Sequence, residues 1–202
     1  MQPAYTLLEK RIQGSCLIVA PLLFGLSTFF WQDGEYGVTS ATLIILSLFF
    51  WIPAWMGLFD ILKEKRPRYA VWGLWVAVYG CISGVCFAFL GYLTSIFHIP
   101  HKTYIEELSQ YPLSSQVLLF ASGPLFPSSL LILGIVLLRT RLVPLPVGLL
   151  LCLAAIAFPL SRIGRVEWMA HIADLLLLIP CFYLGLKIIQ RERAIAASQG
   201  SL

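Results

Sequence analysis

Charged residues are scarce in this sequence. Asp, Glu, Lys and Arg make up only 12% of its 202 residues, whereas hydrophobic residues make up 59%. Soluble domains usually contain about 25% charged and about 45–50% apolar residues. This composition excludes an ordinary soluble domain and predicts that lipid forms much of the surroundings of the chain.

Cysteine and histidine are also few. The five cysteines all lie within apolar runs and form no CxxC pair, so we interpret them as small apolar fillers. No lysine lies well inside a long apolar run, which excludes a retinal Schiff base. The sequence contains no glycine-rich phosphate loop and no Ser-His-Asp set. Its cations are scattered between apolar runs, which excludes a nucleic-acid partner.

Six apolar segments are each long enough to cross a membrane, which takes a helix of about 20 residues. They comprise residues 12–31, 38–60, 70–96, 115–138, 144–161 and 167–189. The first is too long for the apolar core of a signal peptide, which spans about 7–15 residues. The sequence therefore predicts an all-α fold, a polytopic transmembrane helix bundle that forms a single domain over residues 1–202.

The distribution of cations predicts the orientation of this bundle. Eleven of the fourteen Lys and Arg residues flank one set of span ends, and three flank the other. The larger group comprises Lys10, Arg11, Lys63, Lys65, Arg66, Arg68, Arg139, Arg141, Lys187, Arg191 and Arg193, and the smaller group Lys102, Arg162 and Arg165. Cytoplasmic loops of membrane proteins are richer in Lys and Arg than the loops on the opposite side. We therefore expect the larger group, and with it both termini, to lie in the cytoplasm.

The loops are short except for residues 97–113, which the orientation places outside. Within this loop, residues 102–110 fit a short interfacial helix, with Ile105 facing lipid and Glu106 facing water. No soluble domain of useful size is expected, so any chemistry must lie within the bundle or at its outer mouth.

A stripe of small residues runs along the third span. Its members recur at spacings of three and four and are Gly73, Ala77, Gly80, Gly84, Ala88 and Gly91. Such a stripe lets neighbouring backbones approach closely. It predicts either that this helix is central to the bundle or that Gly73, Gly80, Gly84 and Gly91 form an interface with a second copy of the chain.

The sixth span begins with several ionisable residues. Glu167, His171 and Asp174 are spaced i, i+4 and i+7, so they share one helix face, and Arg162 and Arg165 precede them. Because a charge in the bilayer costs at least about 2.5–3.5 kcal/mol, such residues usually face the interior and have partners. We expect a site for a ligand, an ion or a proton. A structural network, in which Asp174 accepts from His171 and Glu167 pairs with an arginine, is the alternative.

The fourth span contains two prolines three residues apart, Pro124 and Pro127, which predict a kink or an unwound turn near its middle. Three serines, Ser122, Ser128 and Ser129, lie beside the prolines. Discontinuous helices of this kind form substrate sites in transporters. An ordinary proline kink that neighbouring helices stabilise is the alternative.

The three histidines allow a metal hypothesis. His98 and His101 lie in the outer loop, and with His171 and a carboxylate they could form a zinc site of three nitrogens and one oxygen. All three histidines of the chain would be required, and Pro100 interrupts the helical register of the loop pair. Our principal interpretation therefore includes no cofactor, with zinc as the alternative.

One segment carries a resemblance to a known class of proteins. Residues 137–149, Leu-Leu-Arg-Thr-Arg-Leu-Val-Pro-Leu-Pro-Val-Gly-Leu, end one span in basic residues and start the next after Leu-x-Pro. With the following span, this segment resembles a turn of small bacterial multi-pass proteins of a domain-of-unknown-function type. The resemblance covers the last third of the chain. It implies a bacterial inner-membrane location, and no activity or site residue follows from it.

The leading functional hypothesis is a membrane protein that binds, senses or transports a small ligand, ion or proton. Its cavity would lie between the broken fourth span and the polar face of the sixth. Arg162 and Arg165 would attract an anion, and His171 and Asp174 would bind it or exchange protons. This hypothesis assigns no catalytic residue. The alternatives are a membrane-embedded, metal-dependent hydrolase and a structural or assembly protein.

Overall fold

The fold is taken from a computed structural model that describes residues 2–32 and 34–199, with the side chains of residues 7–32, 34–100 and 102–190. It is almost entirely helical. The helices are α1 (Gln2–Thr28), α2 (Val38–Leu62), α3 (Pro67–Ile96), α4 (His101–Ser109), α5 (Pro112–Ser115), α6 (Leu125–Arg139), α7 (Leu145–Gly164) and α8 (Glu167–Gln199). A π-helical turn, Gln116–Phe120, follows α5, and two short antiparallel strands, β1 (Trp31–Gln32) and β2 (Glu35–Tyr36), form a hairpin between α1 and α2.

Among the described residues, six helical segments are long and apolar enough to cross a membrane, which confirms the predicted number of candidate spans. They are Leu7–Thr28, Val38–Leu62, Pro67–Ile96, Pro112–Arg139, Leu145–Gly164 and Glu167–Gln190. The fourth combines α5, the π-helical turn and α6. A short helix, α4, is also present where the interfacial helix was predicted, and its place at a membrane surface stays a prediction. We call the end of the bundle that carries α4 the outer end and the opposite end the inner end, following the predicted orientation.

Proline sets the start of several helices. Pro67 and Pro112 occupy the first positions of α3 and α5, and Pro146 lies in the first turn of α7. Proline suits these positions because its fixed φ matches the helix and its missing N–H would have no intrahelical acceptor there. The third span consequently begins at Pro67, three residues earlier than the apolar pattern alone predicted.

The six spans pack as a closed ring in chain order. α1 contacts α2, α2 contacts α3, α3 contacts α6, α6 contacts α7, α7 contacts α8, and α8 returns to α1. Aromatic side chains fill the interior of this ring: Trp51 and Trp55 of α2 pack against Phe126 of α6 at ring-centroid distances of 5.2 and 5.9 Å. Phe126 in turn contacts Phe24 and Phe158. The centre of the bundle is therefore a packed aromatic core.

The small-residue stripe of α3 faces other helices of the same chain. A Cβ atom on Gly80 would lie 2.6 Å from the backbone nitrogen of Phe126, and one on Gly84 would lie 2.9 Å from the side chain of Leu48. Gly73 approaches Phe59, and Gly91 approaches Tyr36. The stripe thus allows α3 to pack closely within the bundle, as one of its two interpretations predicted. The homo-oligomer through the same glycines stays a prediction.

The fourth span is interrupted where its prolines predicted. Its π-helical turn ends at Phe120, residues 121–124 form a turn, and α6 starts at Leu125. Two side chains of α3 donate hydrogen bonds to carbonyl oxygens of the π-helical turn, Tyr79 to Val117 at 2.7 Å and Ser83 to Leu118 at 2.9 Å. The neighbouring helix therefore stabilises the break.

Candidate outer ligand site

A buried ion pair joins the two last spans at their outer ends. α7 ends at Gly164, and Arg165 adopts a left-handed conformation (φ 52°) that reverses the chain into α8. This tight turn places Arg162 beside Asp174, and Nη2 of Arg162 donates to Oδ1 of Asp174 at 2.7 Å. The side chains of Arg162 and Asp174 are only 8% and 5% exposed.

The end of α1 completes this pair. The hydroxyl of Thr28 donates to Oδ2 of Asp174 at 2.5 Å and accepts from Nη1 of Arg162 at 3.1 Å. Both oxygens of the carboxylate therefore have a donor. The hydrogen bonds and the opposite charges offset the cost of burying both groups. The triad ties α1, α7 and α8 together.

Aromatic rings surround the guanidinium of Arg162. Its Cζ atom lies 4.7 Å from the ring centroid of Trp31, 5.2 Å from that of Phe158 and 5.4 Å from that of Phe24. Each ring face attracts a cation, and the attraction grows when water is excluded. Because Phe24 and Phe158 also belong to the aromatic core, Arg162 caps that core at its outer end.

An outer cavity of about 410 Å³ lies above this cap. Its wall comes from the β1–β2 hairpin, the outer part of α3, the loop before α4, α4 itself, and the end of α7 with the turn after it. The lining residues include Trp31, Glu35, Tyr36, Phe87, Thr94, His98, Tyr104, Arg162 and Arg165. No described residue of the fourth or sixth span lines this cavity, so the cavity predicted between those two spans stays a prediction.

Arg165 contributes the second guanidinium of the outer cavity. Its Nη1 forms an ion pair with Oε1 of Glu35, and the two side chains are 34% and 46% exposed. This pair links the turn between α7 and α8 to the β1–β2 hairpin. Burial lowers the pKa of Arg165 below the ordinary value of arginine. The side chain stays charged at neutral pH because the ordinary pKa of arginine lies far above neutral pH.

Tyr36 provides a neutral aromatic surface beside the two arginines. Its ring contacts Trp31 at 5.6 Å and Phe87 at 6.2 Å, both in an edge-to-face arrangement. Burial raises the pKa of its hydroxyl above the ordinary value, with Arg162 opposing the increase and Asp174 adding to it. The phenol is therefore uncharged at neutral pH.

The three residues predicted to share the polar face of the sixth span lie on one helix, α8, but have different surroundings. Asp174 is buried as expected, but its partners are Arg162 and Thr28, so the alternative in which it accepts from His171 was wrong. The ring of His171 packs against Phe29 at 4.4 Å. Glu167 is exposed.

The arginines also differ from the predicted network. Arg162 pairs with Asp174 and Arg165 with Glu35, whereas the prediction paired one of them with Glu167. The preference has a geometric cause. The left-handed turn at Arg165 folds α7 back on α8. This brings Arg162 next to Asp174, about two turns into α8, and not next to Glu167 at its start.

One of the three serines of the fourth span, Ser122, bonds within the break. The hydroxyl of Ser122 lies 2.6 Å from the hydroxyl of Ser83 and 2.7 Å from the carbonyl oxygen of Val117. Ser129 is buried in α6, and Ser128 is exposed. None of the three lines the outer cavity. Their role in ligand binding stays a prediction.

The proposed metal ligands are dispersed on two elements. His98 is exposed and lines the outer cavity, His171 lies on α8, and the side chain of His101 is outside the described residues. Within the described part of the chain, no group of three His, Cys, Asp or Glu side chains could hold a metal ion. The zinc alternative gains no support from these positions.

Several residues of the site were missed at the level of sequence. Thr28, Trp31, Glu35 and Tyr36 lie near the first outer loop, far in sequence from Arg162. The sequence contained one signal, a glycine at position 34 in a short loop. In the structure Gly34 has a φ of 77°, which is typical of glycine in a tight turn. That signal locates the hairpin but not its contact with the last two spans.

Comparisons of this chain with family models, with curated proteins and with solved structures gave no match.

Proposed function

We propose that this chain is a multi-pass membrane protein, with both termini in the cytoplasm, that binds a small ligand bearing a negative charge in its outer cavity. The bacterial inner membrane is the location that the resemblance implies. The observation that carries the proposal is the presence of two guanidinium groups, Arg162 and Arg165, in the wall of one cavity. A guanidinium binds carboxylate and phosphate groups through several donors at once.

The two arginines have different roles in this proposal. Arg162 is fixed by Asp174, Thr28 and three aromatic rings, so it forms a rigid floor. Arg165 is partly exposed, and its partner Glu35 is half exposed. An ion pair of this kind is worth about 0–1 kcal/mol, so a ligand can replace one of its members at low cost.

Two buried donors add support at the floor. Nε of Arg162 and Nε1 of Trp31 have no hydrogen-bond acceptor among the described residues. A buried donor without an acceptor costs about 1–3 kcal/mol. A ligand with acceptor oxygens that reaches these donors would recover part of that cost. Because the aromatic core fills the bundle below Arg162, the geometry favours binding or sensing over passage through the bundle.

The test is a titration of the purified full chain with acetate, inorganic phosphate, phosphocholine and glycine betaine. Isothermal titration calorimetry measures the binding of each compound. At least one of these compounds should bind, and Arg165→Gln should weaken that binding about tenfold or more. Lys102→Gln is the matched control, since it removes an outer cation that is 89% exposed and absent from the cavity wall. Equal binding by both variants, or no binding by the parent, would contradict the proposal.

A further inference from the structure

The contact between α3 and the fourth span is closed in the middle of the bundle. Tyr79 and Ser83 of α3 donate hydrogen bonds to carbonyl oxygens of the π-helical turn. A Cβ atom on Gly80 would lie 2.6 Å from the backbone nitrogen of Phe126 and 3.1 Å from the carbonyl carbon of Leu125. No side chain therefore fits between the two helices at this level.

Towards the inner end, the glycines of α3 and α6 approach other neighbours. Gly73 of α3 approaches the ring of Phe59 on α2, and Gly134 of α6 approaches Cys152 on α7. Between the contact at Gly80 and the inner end, close packing therefore holds α3 against α2 and α6 against α7.

The face of α3 that contacts the fourth span is open towards the inner end. Trp72 and Val76 precede Tyr79 and Gly80 by about one to two helical turns, so they lie on the same face. Their side chains are nevertheless 73% and 43% exposed. Arg68, one turn before Trp72, continues this face to the inner end and is exposed.

α6 forms the opposite wall of this opening. Leu125, Ile132 and Arg139 are spaced by seven residues, so they share the face that meets Gly80, and both Ile132 and Arg139 are exposed. Arg68 and Arg139 lie at similar depths, about 18–21 Å along their helices from the contact at Gly80. We call the space between these faces the inner groove, bounded by Arg68, Trp72, Val76, Ile132 and Arg139.

The inner end carries an excess of cations. The sequence places eleven Lys and Arg residues there with four acidic residues, which are Glu9, Asp60, Glu64 and Glu192. Asp60 pairs with Lys10 and Lys63. Whichever cations the other three acids engage, more cations than acids remain. Arg68 and Arg139 form no ion pair or hydrogen bond with the described residues, so the mouth of the inner groove suits an anion.

We propose that the inner groove binds an anionic phospholipid. Its phosphate binds Arg68 and Arg139, and one acyl chain lies along the apolar walls. Guanidinium groups bind phosphate through several donors at once. The distance from Arg68 to Tyr79 along α3 is about 16 Å, close to the hydrocarbon depth of one leaflet, about 15 Å. A soluble acidic partner would leave the apolar walls unused. This inference does not depend on the outer ligand site.

The test uses photoactivatable lipids. The full chain is placed in phosphatidylcholine nanodiscs with a trace of phosphatidylglycerol that carries a diazirine in one acyl chain. A phosphatidylcholine probe with the same acyl chains is the reference. Mass spectrometry should find the phosphatidylglycerol probe on residues 72–76 and on Ile132, about fivefold more heavily than the reference. Equal labelling by the two probes, or labelling mainly elsewhere on the chain, would overturn the proposal.

Two variants test the phosphate contacts. Arg68→Gln and Arg139→Gln should each reduce labelling by the phosphatidylglycerol probe about fivefold, because a cation near an anionic lipid surface contributes about 1 kcal/mol. Labelling by the phosphatidylcholine probe should change by less than about twofold. The chain with both Arg68→Lys and Arg139→Lys keeps the charges and should retain most of the labelling. If both probes lose labelling equally in the glutamine variants, the binding of phosphate to these arginines is wrong.

The matched control is Arg11→Gln. Arg11 is an exposed inner-end arginine on α1, whose neighbours in the ring are α2 and α8. This variant should leave labelling of the inner groove unchanged within about twofold. An equal loss would show that the overall charge of the inner end attracts the lipid, and would overturn the groove. Inorganic phosphate at constant ionic strength should not displace the probe. If it displaces the probe as well as unlabelled phosphatidylglycerol does, the lipid assignment is wrong.

Discussion

Replacing Arg162 by methionine should lower the free energy of unfolding by about 3–5 kcal/mol, because it leaves the buried carboxylate of Asp174 without its charged partner. Asp174→Leu should have a comparable effect, since it leaves the guanidinium of Arg162 buried without a counter-ion. The double variant replaces both charges with apolar groups and should recover most of the loss, as substitution of a buried ion pair often does. The measurement is denaturant unfolding of the purified chain in detergent.

The same experiment distinguishes this ion pair from the contact of His171 with Asp174 that the alternative network contained. The cycle of Arg162→Met and Asp174→Leu should show a coupling energy of about 2 kcal/mol or more. The cycle of His171→Ala and Asp174→Leu should be additive within about 0.5 kcal/mol, because His171 contacts Phe29. Additivity in the first cycle, or equal coupling in both, would contradict the ion pair of Arg162 with Asp174.

Gly185→Ala should destabilise the chain by about 2–3 kcal/mol through overpacking. A Cβ atom on Gly185 would lie 2.6 Å from the carbonyl oxygen of Gly14, and one on Gly14 would lie 2.7 Å from the carbonyl oxygen of Gly185. The obstructing atom is backbone in both directions, so no side-chain rotation relieves the contact. α1 and α8 would have to move apart, which opens the ring of helices.

Gly25→Ala is the control for this prediction. Gly25 also lies within α1, but a Cβ atom there would meet only the Cβ of Asp174, at an ordinary distance of 3.6 Å. Alanine favours a helix over glycine by about 1 kcal/mol, so this variant should be neutral or slightly stabilised. Thermal unfolding in detergent gives the comparison. If Gly185→Ala unfolds at the same temperature as Gly25→Ala, the close crossing of α1 and α8 is wrong.

The spans were predictable because their signal is local. Length and hydropathy alone gave six segments, and each lies within or overlaps a helix of the structure. The break in the fourth span was equally local, since Pro124 and Pro127 mark it in the sequence. The donors that stabilise this break, Tyr79 and Ser83, come from another helix, so only the packing of α3 against the fourth span identifies them.

The site was predictable only in part, because its contacts are between distant segments. The cost of a charge in the bilayer correctly indicated that Asp174 is buried. Its partner was misassigned, because helical periodicity relates Asp174 to neighbours on α8 and contains no information on a turn between helices. Thr28 is 146 residues from Asp174, and no spacing rule connects them. The outer cavity was missed for the same reason.

The Gly14–Gly185 contact shows the same limit in the packing of helices. The stripe of α3 is visible because its small residues repeat along one helix. Gly14 and Gly185 lie on different spans and belong to no such repeat, and an isolated glycine in a membrane helix predicts no partner. Only the closed ring of spans brings α8 back to α1.

Cysteine accessibility tests most directly whether the outer cavity opens to the non-cytoplasmic side. In a chain whose five native cysteines are replaced, Thr94→Cys places a thiol in the cavity wall, and Lys63→Cys places one at the exposed inner end. In intact cells a membrane-impermeant maleimide should label Thr94→Cys, and it should label Lys63→Cys only after the membrane is permeabilised. The reverse pattern, or a Thr94→Cys thiol that reacts under neither condition, would contradict an outer ligand cavity.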